Sequence, residues 1–177
     1  MTLSLLPLAA FSILTVGKYI KNKAIFIIFI LIFSALSFKA DYYALNDFAN
    51  APIPNSDKEQ YINSWPAGGG LKEIISFLEK EAQKGKIYVA SEGTFGSLPT
   101  YGVEIYLGEN KNIDKRGIWP LPKDIPNDLL EKAKTMPVFF VFNNTQEQPG
   151  GWPLELIAKY QKGIGNSYMN LYKVVNN

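Results

Sequence analysis

The sequence predicts an α/β protein: a small, mostly parallel open sheet with flanking helices, a Rossmann-like sandwich, preceded by one or two N-terminal transmembrane helices. Three observations predict it. From Leu71 onward, segments of helical period alternate with strand-like segments to the end of the chain, the order that builds an open α/β layer structure with right-handed crossovers. "PVFFVFNN" (137–144) is a continuous apolar run of strand formers, as expected of a strand covered on both faces. The first 40 residues contain two long apolar stretches unlike anything that follows.

Those two stretches come first in the chain. "MTLSLLPLAAFSILTVG" (1–17) carries no charged side chain, and "AIFIIFILIFSALSF" (24–38) is apolar apart from two serines; "KYIKNK" separates them. Spanning the hydrocarbon core takes about 20 apolar residues, with about 17 as the lower limit. The second stretch reaches that length if it runs to Ala40 with the Lys39 ammonium snorkelling to the interface. The first is marginal and contains Pro7. A signal peptide, with Lys18–Lys23 as its basic region and 24–38 as its apolar region, is the alternative. The 17 uncharged residues upstream weigh against it. The lysines between the stretches place that loop in the cytoplasm by the positive-inside rule, and everything after Asp41 is then extracytoplasmic. The expected organisation is a membrane segment over 1–40 (helices at 1–17 and 24–40), a connector over 41–70 and an extracytoplasmic α/β domain over 71–177.

The connector, "DYYALNDFANAPIPNSDKEQYINSWPAGGG", opens with Tyr42 and Tyr43, suited to the interfacial aromatic belt. It reads as extended chain that packs on the domain, because Tyr61, Ile62 and Trp65 are too apolar for a free linker. In the domain, Leu71, Ile74, Ile75, Leu78 and Ala82 share one helical face, and Gly85 ends the helix. "KIYVAS" is a strand. "SLPTYGVEIYL" is a helix with Ser97 as cap and Pro99 in its first turn, weakened by Gly102. "NIDKRGIW" is a second strand. "PNDLLEKAKTM" is a helix opened by Pro126, with Asp128 where the dipole favours an acid. After "PVFFVFNN", the segment "WPLELIAKYQKG" reads as a helix with Pro153 in its first turn. "SYMNLYKVV" is the last strand, placed by the short "KGIGNS" connection as an antiparallel edge.

Composition narrows the chemistry. The 177-residue chain has no cysteine and no histidine, which removes disulfides, thiolate nucleophiles and every histidine acid, base or metal ligand. Its acids are scattered, with no spacing suited to a metal, and no cofactor is expected. The four lysines of residues 1–40 meet no acid there, so the overall +2 leaves the remaining 137 residues at −2. That portion has no basic stripe of the kind nucleic acid needs. The expected partner is the lipid bilayer; the oligomeric state stays open.

The polar residues that merit a functional reading sit at strand ends. "IYVASEGTFGSLPTYG" (87–102) ends a strand in a lone carboxylate, Glu92, followed by Thr94. Neither dinucleotide nor P-loop fingerprint is present. Asn143, Asn144 and Thr145 hold the equivalent place after "PVFFVF". If those strands are neighbours, their polar ends share the crevice in which ligands of α/β sheets bind. Glu92, Thr94, Asn143 and Asn144, with Trp65 and the 68–70 glycines nearby, are therefore the candidate ligand site; no catalytic and no metal-binding residue is expected. The bland readings are a sharp turn at Gly93 and Gly96, asparagines that cap the chain's exit from the sheet, and Trp-Pro pairs at 65, 119 and 152 that form packing corners. "NNT" at 143–145 matches the glycan-acceptor sequon, but the strand end makes it poorly accessible.

Taken together, "QYINSWPAGGGLKEIISFL", "IYVASEGTFGSLPTYGVEIYL", "GIWPLP", "VFFVFNNTQEQPGGWPLELIAKY" and "LYKV" resemble the carboxyl-terminal extracytoplasmic domain of bacterial GT-C-fold membrane glycosyltransferases, the glycosyltransferase family 39, dolichyl-phosphate-mannose-protein mannosyltransferase-like group. The likeness runs from about Asp41 to Asn177. It implies a role in transferring a sugar from a polyprenyl-phosphate carrier to an acceptor outside the cytoplasm. In that family the catalytic carboxylate lies in the first extracytoplasmic loop of a chain with many more membrane helices. Here no acid precedes Asp41, so no catalytic residue carries over. The resemblance implies a terminal part or accessory chain of such an enzyme. A membrane-anchored glycan-binding or protein-interaction module is the alternative.

Overall fold

The computed structural model describes residues 5–20, 22–93 and 100–175. It divides into two compact units, Met1–Pro52 and Ile53–Asn177. In the first, α1 spans Leu5–Tyr19 and α2 spans Lys23–Asn46. The side chain of Asn22 caps α2 by accepting the Ala24 amide at 3.0 Å, satisfying one of the orphan donors of the first turn. Helix α2 is long and apolar enough to cross a bilayer. It continues past Ala40 through Tyr42 and Tyr43, because nothing in "KADYYALN" breaks a helix. The 15 described residues of helix α1 are shorter than a span at 1.5 Å per residue.

The second unit begins with chain that is helical and not extended as expected. A short α3, Asn55–Lys58, runs directly into a π-turn over Glu59–Asn63. Then come α4 (Leu71–Lys84), β1 (Ile87–Glu92), α5 (Thr100–Tyr106), β2 (Ile113–Ile118), α6 (Asn127–Ala133), β3 (Val138–Phe142), β4 (Leu154–Gln161) and β5 (Tyr168–Val174). The proposed cap Ser97 and Pro99 lie outside the described residues.

The five strands form one mixed sheet in the order β2-β1-β3-β5-β4. Strands β2, β1 and β3 are parallel, whereas β5 runs antiparallel to both β3 and β4. Half of the sheet is thus parallel, where a mostly parallel sheet was expected. Strand β3 is central. Phe139 and Val141 enter one core with Ile74 and Leu78 of α4, Val103 of α5 and Leu107 just after it. Phe140 and Phe142 enter the other with Leu129 of α6, Trp152 and Tyr172. The continuous apolar run is buried on both faces, as its composition implies.

One element differs in kind. Residues 154–161 are a strand, not a helix. It pairs antiparallel with β5, and a bulge between Leu156 and Ala158 disguises its strand period. Leu154 lies against the core beneath α6, but Ile157, Ala158 and Tyr160 lie against the core beneath α4. The extra residue breaks the strand's two-residue period and leaves partly buried apolar residues at 154, 157 and 158, which imitate helical spacing. Consequently β5 is antiparallel, as its short connection suggested, but interior; β4 is the edge.

Candidate functional site

Because β1 and β3 are parallel neighbours, their carboxyl ends lie side by side, and β4, reversed twice, brings Gln161 and Lys162 to the same end of the sheet. Glu92 leaves β1 there, 3 % exposed. The chain leaving β3 turns so that three successive amides converge on one of its oxygens: Asn143 at 3.0 Å, Asn144 at 2.8 Å and Thr145 at 2.8 Å donate to Oε2. The Thr145 hydroxyl donates to Oε1 at 2.5 Å. Consecutive amides curved in this way form an anion-binding concavity, and here the anion is the protein's own carboxylate.

A second charged group joins from the opposite edge. Lys162, with no exposed surface, donates from Nζ to the Trp65 carbonyl at 2.6 Å and to Asn143 Oδ1. The Asn143 side-chain Nδ2 donates to the same Trp65 carbonyl at 2.9 Å. Burial pushes the Lys162 ammonium down from its usual 10.5 to about 8, with the Glu92 charge acting in the opposite direction. Nothing local in "YQKGIG" marks Lys162 for burial; on a helix it would be a solvated face residue. It is enclosed because the chain over 62–65 crosses the turn after β4, where the Ile164 amide donates to Asn63 Oδ1 at 3.1 Å.

The glycines are part of this crossing. Gly70 holds φ +89 at the start of α4, and a Cβ there would stand 2.5 Å from Tyr160 Cβ; one on Gly69 would stand 3.1 Å from Lys162 Cα. Gly163, at φ +52, has no room for a Cβ against Ile62. The "GGG" triplet thus lets the chain pass over β4 into α4, the reading in which glycines serve the turn.

Of the five expected site residues, the structure brings Glu92, Asn143, Asn144 and Trp65 together; Thr94 lies outside the described residues. Sequence reasoning missed Lys162 and the acceptor role of the Trp65 backbone. The four that meet are of two kinds. Glu92 and Asn143 are buried and committed to each other's loops. Asn144 is exposed and the Trp65 side is 46 % exposed. Burial of Asn143, 3 % exposed with its amide bonded, also closes the "NNT" sequon to modification in the folded chain. Trp119 is 57 % exposed, so only Trp152, 3 % exposed with its indole donating to the Lys123 carbonyl at 3.0 Å, is a packing corner of the expected kind.

Among the described residues no group of three or more acids, cysteines or histidines is placed to hold a metal. An apolar groove of about 400 Å³ is lined by Gly68, Leu71, Lys72, Ile75, Ser76 and Tyr106. Comparison of the chain with protein-family models, with curated proteins and with solved structures gives no match.

Proposed function

We propose that this chain is a membrane-tethered, non-catalytic module that serves sugar transfer from a polyprenyl-phosphate carrier outside the cytoplasm, as the terminal part or accessory chain of a GT-C-type glycosyltransferase. The observation that carries the non-catalytic reading is the state of Glu92. A general acid or base has to reach its substrate's proton, and this carboxylate is buried under four donors from its own chain. Helix α2 supports the tether. The lysines on either side of Asn22 support an exterior α/β unit through the positive-inside rule, and the parallel half of the sheet supports the Rossmann-like part of the reading. In this account Glu92, Asn143 and Lys162 are the frame. Trp65 and Asn144, both accessible, are what the frame offers to a lipid-linked sugar or glycan, through stacking on the indole and hydrogen bonds to the amide.

The test supplies radiolabelled polyprenyl-phosphate hexose to membranes from cells with and without the chain. Incorporation into acceptor should fall without it and return on adding it back. The Trp65→Ala, Asn144→Ala double variant should restore less than the wild type, and the chain alone in liposomes should transfer nothing. Unchanged incorporation without the chain, or transfer by the chain alone, would contradict the proposal.

A further inference from the structure

The first turn of the α/β unit and the turn after β4 are joined by packing, and both leave large apolar side chains in solvent. Asn63 Oδ1 accepts the Ile164 amide at 3.1 Å, and the Lys162 ammonium holds the Trp65 carbonyl at 2.6 Å. Ile62 is buried in this junction, yet its neighbour Tyr61 is 58 % exposed, Trp65 46 % and Ile164 64 %. Scattered exposed apolar residues need no explanation, but a tyrosine, a tryptophan and an isoleucine on two segments that pack together do. The covalent context names what covers them. The patch stands on the first residues of the unit, and only residues 47–54 separate α3 from the end of α2. Eight residues reach at most roughly 28 Å at 3.3–3.6 Å each. With α2 in a bilayer, Asn55 is held within that distance of the end of α2, and Tyr61 and Trp65 follow six and ten residues later.

We infer that Tyr61, Trp65 and Ile164 form a docking face for the bilayer interface, so that the α/β unit rests on the membrane through this junction. The chemistry fits an interface more closely than bulk water or hydrocarbon: tyrosine and tryptophan pair an apolar body with a polar tip, the combination enriched at headgroup level. The charges beside the patch, Asp57, Lys58 and Glu59, are of mixed sign and sum to −1. Attraction to anionic lipid is therefore not the driving term, and docking should be insensitive to salt and should occur on zwitterionic lipid. Because β4 ends at the carboxyl end of β1 and β3, docking would turn that end of the sheet, with Asn144, toward lipid-borne headgroups. The inference rests on α2 being an anchor and not on any role in sugar transfer.

The chain contains no cysteine, so single cysteines can be spin-labelled without background. Tyr61→Cys, Ile164→Cys, Lys111→Cys and Phe33→Cys would each be made in the full chain and placed in phosphatidylcholine nanodiscs, with accessibility to oxygen compared with that to a water-soluble nickel chelate. Lys111 is exposed in the turn before β2, at the opposite end of the sheet. The expected result is an oxygen-to-nickel ratio at 61 and 164 severalfold above that at 111, unchanged by high salt, with 33 the most lipid-like of all. Labels at 61 and 164 that match 111 while 33 is lipid-exposed would overturn the docking face and leave the anchor standing. That outcome would reassign the patch to a protein partner. A water-exposed label at 33 would overturn the anchor and the docking face together. Neither result bears on sugar transfer, which the incorporation assay reads separately.

Discussion

Glu92 is a buried charge that the chain solvates with its own amides, and that arrangement sets the consequences of changing it. A carboxylate in water becomes a structural group when three backbone N–H groups and a hydroxyl are fixed around it. Glu92→Ala would leave those donors without an acceptor. Each buried unsatisfied group costs about 1–3 kcal/mol, so a loss of roughly 3 kcal/mol or more is expected in urea unfolding. Thr145→Val, which removes one donor and leaves the amides in place, should cost about 1 kcal/mol. Lys162 gives a pH test. Its folded-state pKa is lowered to about 8 from 10.5, so the unfolded chain binds more protons between those values and stability rises with pH there; the gain is complete above 10.5 and is lost as pH falls through about 8. Between pH 8 and 9.5 the rise should be about 1–2 kcal/mol, its slope starting near half of, and approaching, about 1.36 kcal/mol per unit. That interval lies below the titration of Tyr88 and Tyr172, both raised above 10.0 by burial. Lys162→Met should flatten the rise; an unchanged slope would show that Lys162 is not its source. At this scale Glu92 and the asparagines were legible because polar residues that end apolar strands are conspicuous. Lys162 was not legible, since its burial depends on chain about 100 residues away in sequence.

Strands and helices follow their local patterns where packing adds nothing unusual. Helix α4 shows its buried stripe at Ile74, Leu78 and Ala82 in the sequence, and β3 its two-faced burial. Phe140, fully buried and stacked 4.3 Å from Phe142, should cost about 3–5 kcal/mol on truncation to alanine. Phe139→Ala should be destabilising as well, because it empties the opposite core. If neither moved the unfolding midpoint, the two-core description would be wrong. Strand β4 was illegible because its bulge counterfeits a helical period. The glycine triplet offers a paired test of the crossing over β4. Gly70→Ala meets Tyr160 and a positive φ and should cost roughly 1–3 kcal/mol. Gly68→Ala has open space and should fall within about 0.5 kcal/mol of wild type. Equal effects would contradict a crossing that tight.

For the whole molecule, the apolar helix and the α/β class could be read from the sequence because both rest on patterns longer than ten residues. Strand order could not, because a hairpin and a crossover differ in long-range pairing and not in local composition. The proposal that α2 anchors an α/β unit working outside the cytoplasm is directly measurable, because the chain has no native cysteine. Glu147 and Asn22 are both exposed, the first on the loop before β4 and the second between α1 and α2. In intact cells, a membrane-impermeant maleimide should label the Glu147→Cys chain and leave the Asn22→Cys chain unlabelled until the cells are lysed. Labelling of position 22 and protection of position 147 in intact cells would contradict the account.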